Sequence, residues 1–151
     1  MQVTYLDRVE SKWPLRITFQ RGSKVPAYCS ASGKLFLALM QPAKRDLLLA
    51  EMKFERLTEN TVVDRKALLK EFLDIRRDGY ALDREEYLSG LVCLAVPVFH
   101  KKGRSRVCAA ALAIQAPVAR LSHEEMLTKL PILRTAAQSL GATIGEKADT
   151  Q

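Results

Sequence analysis

Residues 91–99 form an almost unbroken apolar run, a basic turn follows, and residues 107–115 return as a second apolar stretch. Runs this continuous and this short suit strands covered on both faces. With the turn at Gly103 between them, they predict an antiparallel hairpin of two long strands. The longer run is less than half of what a membrane-spanning helix needs. Pro97 within the first strand predicts a bulge or a free edge near that point, because it lacks an N–H for a ladder.

The elements around the hairpin follow from periodicity. Residues 3–10 can run as a strand with Val3, Tyr5 and Val9 on one side, broken by Trp13 and Pro14. Residues 15–20 alternate, Leu15, Ile17 and Phe19 against Arg16, Thr18 and Gln20, the period of a half-buried strand. Gly22 and Pro26 then predict a loop. Ser30 or Ser32 can cap a helix carrying Leu35, Phe36, Leu39 and Met40. Pro42 suits the first turn of a second helix, through about Met52. Asp64 caps a third, whose stripe is Leu68, Leu69, Phe72 and Ile75 and whose end is Gly79. Residues 80–83 make a short strand. Ser122 with Glu125 is a capping box opening a last helix with Leu130, Leu133, Ala137, Leu140 and Ile144. Pro131 should kink or divide it, and Ala137, Gly141 and Ala142 would permit close approach to a sheet or a partner helix. The order is strand, strand, three helices, three strands, helix: an α+β architecture with a mainly antiparallel sheet and flanking helices. It is read as one domain over residues 1–151.

Composition narrows the function. A net charge of +7 invites a nucleic-acid partner. Yet the positives are scattered, and only Lys101, Lys102, Arg104 and Arg106 cluster, at a turn best read as a solvated hairpin tip. Cys29, Cys93 and Cys108 are an odd number in apolar surroundings, which suits buried thiols in a reducing cytoplasm. No signal stretch opens the chain.

Three stretches can carry function. In PAYCSASGK (residues 26–34), small residues cluster where a helix begins and its first N–H groups lack partners. Ala31, Ser32 and Gly33 would let an anion approach those donors. They serve equally as an ordinary N-cap packed beneath a strand. In GYALDREEY (residues 79–87), Asp83, Glu85 and Glu86 precede a buried strand. They suit a catalytic dyad or, more commonly, a solvated turn. If Leu91 faces a pocket, so does Cys93, since strand side chains alternate. Ala113 and Gln115 likewise share a face, and a buried Gln115 needs a partner, either a ligand or a backbone group. Catalytic patterns are sparse. His100 and His123 form no metal-ligand spacing, and His123 is expected in the exposed first turn of the last helix. No nucleophile elbow, phosphate loop or dinucleotide fingerprint occurs. No metal, cofactor or catalytic residue is assigned.

The motifs YLDRVES (residues 5–11), PAYCSASGK, GYALDREE (residues 79–86), GLVCLAVPV (residues 90–98) and the Ala-rich strand ending in Pro117 recur together in one known family. In this order and spacing they resemble the C-terminal effector-binding domain of IclR-type bacterial transcription regulators, from Tyr5 to about Ile144. The resemblance implies a GAF-like fold, a curved antiparallel sheet and helices enclosing an effector pocket. It implies pocket residues at Ala31, Ser32, Gly33, Asp83, Leu91, Cys93, Ala113 and Gln115, with Ile17 and Phe19 as an apolar wall. Family members often carry hydroxyl residues where this chain has Ala113 and Gln115, and a histidine where it has Tyr28. They pair this domain with an N-terminal winged helix-turn-helix that meets operator DNA as dimers or tetramers. That domain is expected to lie outside this chain. The expected function is sensing a small organic or aromatic acid and oligomerising within a DNA-binding regulator. Alternatives are a free-standing sensor acting on a protein partner and a small enzyme using Cys93 with Asp83.

Overall fold

A computed structural model describes residues 1–10, 19–102 and 105–148. The long hairpin is its spine. β1 (Gln2–Thr4) and β2 (Lys24–Pro26) pair antiparallel as a small ribbon. Three helices follow: α1 (Ala31–Leu39), α2 (Pro42–Glu51) and α3 (Arg65–Asp78). Then β3 (Ala81–Arg84), β4 (Leu91–Lys102) and β5 (Ser105–Pro117) form an antiparallel sheet in that order. α4 (His123–Leu127) and α5 (Leu130–Ala148) close the chain.

The apolar continuity of β4 has a direct cause. Cys93 and Ala95 belong to one core cluster with Leu35, Leu37, Leu68 and Phe72, under α1 and α3. Val92, Leu94, Val96 and Val98 belong to another with Leu133 and Ala137 of α5. Successive side chains point to opposite faces, so a strand sandwiched between helices must be apolar at nearly every position.

Local signals explain the helix ends. The Asp64 carboxylate accepts from the Ala67 N–H at 2.8 Å, and Gly79 ends α3 in the left-handed region at φ 71°. Both halves of the Ser122–Glu125 capping box form. Pro131 divides the last helical stretch: α4 ends at Leu127, and Pro131 occupies the second position of α5, where its missing N–H removes no bond. Gly141 lets α5 reach the sheet, since a Cβ there would lie 2.1 Å from the Phe99 carbonyl oxygen. Ala137 is buried against the sheet, while Ala142 points outward.

Several expectations are corrected. The first strand stops at Thr4, well short of residue 10. The second described strand is β2, at residues expected to loop. Of the strand expected at 15–20, Phe19 and Gln20 are not in a strand, and the remainder, with Ile17, lies outside the described residues. Pairing with β1 rather than side-chain alternation decides where β2 forms. Pro97 sits next to the register shift between Val98 and Phe99, past the last β3 partner, Ala95. His123 is half-buried rather than exposed. Cys29 and Cys93 are buried free thiols, and Cys108 is half-buried. Among the described residues no helix is long and apolar enough to cross a membrane.

Candidate functional site

Sheet register builds one side of the site. Asp83 on β3 stands opposite Cys93 on β4, which stands opposite Gln115 on β5. Asp83 and Gln115 are the polar members of this row, with the Cys93 thiol between them. The start of α1 faces this row. Its N-cap Ser30 has extended backbone but donates its hydroxyl to the Pro26 carbonyl at 2.8 Å, so it does not cap the helix. The first bond into the helix runs from the Lys34 N–H to the Ser30 oxygen, and no acidic side chain occupies the first turn. The amides of Ala31 and Ser32 therefore carry the positive end of the helix.

Between these walls lies a small cavity lined by Phe19, Ala31, Ser32, Asp83, Leu91, Cys93 and Gln115, all expected from sequence, and by Tyr5, Val25, Ser30 and Tyr87, which were not. Only about 10 Å³ is open to the centre of a water molecule, room for about one. An aromatic cover closes it. Tyr5 stacks on Phe19 with ring centroids 5.0 Å apart, and Phe19 lies 5.8 Å from Tyr87. The Tyr5 hydroxyl donates to Gln115 Oε1 at 3.5 Å, a long bond that joins the cover to the polar row.

Two expected residues lie elsewhere. A Cβ on Gly33 would sit 2.3 Å from Ala27 Cα, so this glycine serves the packing of α1 on the chain before it. Ala113 pairs with Ala95, one row beyond Cys93 and Gln115, and packs against the core beneath α1. The missed residues had faint signals. Tyr5, Ser30 and Tyr87 all sit in the quoted motifs, whereas Val25 arrives through a strand that periodicity does not announce.

Beneath the site runs a buried charge network. Lys34 is fully buried, and its Nζ lies 2.7 Å from Glu71 Oε1 and 2.5 Å from Glu86 Oε1. Glu86 Oε2 is buried and finds no hydrogen-bond partner among the described residues. Asp83 Oδ1 accepts from the Glu86 N–H at 2.8 Å and more weakly from the Tyr87 N–H at 3.4 Å. The turn is tied down from outside by Thr58 and Thr61, whose hydroxyls donate to the carbonyls of Glu85 and Glu86 at 2.6 and 2.7 Å. Asp83 and Glu86 thus belong to the interior rather than to a solvated turn.

Burial sets the protonation of these groups. It pushes the Asp83 carboxyl up to about 7, with Glu86 adding to the rise and Lys34 opposing it. Glu86 is raised chiefly by the same desolvation. The Cys93 thiol is raised by burial and further by Asp83, and burial takes Cys29 up to about 12. A nucleophilic cysteine needs the opposite shift. Among the described residues no group of three or more His, Cys, Asp and Glu side chains is placed to hold a metal ion.

The family model described as "Bacterial transcriptional regulator IclR C-terminal" matches residues 1–142. The chain is similar to "Probable transcriptional regulator SauR" of Cupriavidus necator, 40% identical over 144 residues that cover 95% of this chain and 56% of that protein. It is similar to "HTH-type transcriptional regulator KdgR" of Escherichia coli, 34% identical over 143 residues, 95% of this chain and 53% of that protein. It thus spans about half the length of these curated relatives. A similar solved structure is the inducer-binding domain of the transcription factor PobR from Acinetobacter, a double mutant in complex with 3-hydroxybenzoic acid. It is 26% identical with a TM-score of 0.78, covering 88% of this chain and 78% of that one. These neighbours give the GAF-like assignment of the fold.

Proposed function

Because the chain belongs to the C-terminal domain family of IclR-type bacterial transcriptional regulators, we propose that the cavity between α1 and the Asp83–Cys93–Gln115 row receives a small organic-acid effector. One observation carries the proposal. An uncapped helix start, the Asp83 carboxyl and the Gln115 amide meet at the same hollow. The carboxylate of the ligand takes the amides of Ala31 and Ser32. Its remaining polar atoms face Asp83 and Gln115, and its apolar body lies against Leu91 and Phe19. The bound acid in the PobR domain supports this class of ligand. Binding requires the lining side chains, the stacked Tyr5 and Phe19 among them, to move, because the cavity holds about one water.

In this account the chains associate as a homo-oligomer in the cytoplasm, and binding biases their packing. A ligand shifts such an equilibrium only by its differential affinity for the two states. Operator DNA is met by a helix-turn-helix segment outside residues 1–151, as the description of the KdgR relative supports. Catalysis by Cys93 is disfavoured: burial and the neighbouring acid Asp83 raise its thiol, and the charge of Lys34 opposes them only in part.

A thermal-shift screen of small aliphatic and aromatic acids tests the assignment, with Ser32→Trp as the blocked variant. Saturable stabilisation of the native chain that disappears in Ser32→Trp supports the site. Equal stabilisation of both proteins removes the α1 cavity as the sensor.

A further inference from the structure

A larger hollow, about 200 Å³, lies on the α5 side of the sheet. β3 stops pairing at Ala95, and Pro97 has no N–H to offer a further strand, so among the described residues this stretch of β4 has no partner on that side. Val96, Pro97, Phe99 and Ala137 give the hollow apolar walls, while Arg106 of β5 and Arg134 and Gln138 of α5 border it.

Among the described residues neither arginine is clamped by a close carboxylate, although the Asp78 carboxyl feels the charge of Arg134. Arg106 lies diagonally across the hairpin from Phe99, with its guanidinium carbon 4.7 Å from the ring centroid. Arg134 donates to the Asp78 carbonyl oxygen at 2.5 Å. Among the described residues neither is paired in a salt bridge. A guanidinium presents five N–H donors in a planar fork that suits a carboxylate, so each keeps donors beyond the contact it makes. Two such forks beside an apolar floor recognise a flat anion.

We propose that this cavity is a second ligand site, for an aryl carboxylate or a similarly flat organic anion. Its carboxylate lies between Arg106 and Arg134, and its ring rests on Val96 and Phe99. This site shares no residue with the α1 cavity and stands or falls independently of it.

Titrating the ¹⁵N-labelled full chain with benzoate tests the proposal, with benzamide as the uncharged control. Benzoate is expected to shift the amides of Val96, Phe99, Ala137 and Gln138 saturably, and benzamide is not. Arg106→Gln and Arg134→Gln should each weaken binding about tenfold or more, as expected for losing a charge-assisted contact. Arg134→Lys, which keeps the charge but loses the fork, should weaken it less. Ser32→Trp should leave these shifts unchanged. The proposal is overturned by equal shifts with benzamide, by unaltered affinity in both glutamine variants, by loss of these shifts in Ser32→Trp, or by no saturable shift at these amides.

Discussion

Lys34 Nζ and Glu86 Oε1 lie 2.5 Å apart in a protein interior where both residues are almost wholly buried. The pair joins α1 to the turn that carries Asp83, directly beneath the candidate effector cavity. Removing one member of a buried pair strands the other charge, a loss of about 3–5 kcal/mol. Lys34→Met should therefore destabilise the protein by that amount in urea titrations. The double variant Lys34→Met/Glu86→Leu should recover most of the loss. A double variant as unstable as the single one would show that the pair itself, rather than the stranded carboxylate, sets the cost.

Asp83 gives the fold a pH dependence. Its folded value of about 7 lies above the ordinary carboxyl value of 3.8. Between these values the folded protein holds a proton that the unfolded chain has released. Stability thus falls as pH rises through this interval, by up to about 1.4 kcal/mol per pH unit, and the loss is complete above about 7. Glu86, also raised, contributes with the same sign. Asp83→Asn removes only the Asp83 share, so its urea midpoints should decline less between pH of about 5 and 8. Parallel curves for the two proteins would contradict the assignment.

Gly33 and Gly141 fix how closely α1 and α5 approach their neighbours. An added methyl would meet Ala27 Cα at 2.3 Å in the first case and the Phe99 carbonyl oxygen at 2.1 Å in the second. Both obstacles are backbone, which cannot swing aside. Gly33→Ala and Gly141→Ala should each cost about 1–3 kcal/mol, despite alanine's better helix propensity. Calorimetric melting temperatures check this directly.

Gln115 and Ala113 separate ligand choice from packing. Gln115 lines the cavity, whereas Ala113 is one row away under α1. Gln115→Leu should change which acids stabilise the protein in the thermal-shift screen, because a half-buried amide facing the ligand discriminates by leaving its donors unpaired. Ala113→Ser should lower stability with little change in that ranking. The reverse pattern would move the polar wall of the site to Ala113.

Much of this protein is written in short stretches of its sequence. The strands of the long hairpin, the Asp64 cap, the Gly79 stop and the Ser122–Glu125 box depend on neighbours a few residues apart, and each forms where local chemistry predicts. Alternation along β4 put Leu91 and Cys93 on one face, and the family resemblance implied that this face lines a pocket. Tertiary structure decided the rest. β2 exists because β1 offers it a partner, which side-chain periodicity does not record. Nothing in the residues around Lys34 announces its burial; α3 and the turn after β3 bring Glu71 and Glu86 to it. Register aligned Asp83, Cys93 and Gln115 in one row and moved Ala113 out of it. Local pattern fixes which face a side chain takes, but hydrogen-bond register between distant segments fixes which side chains meet.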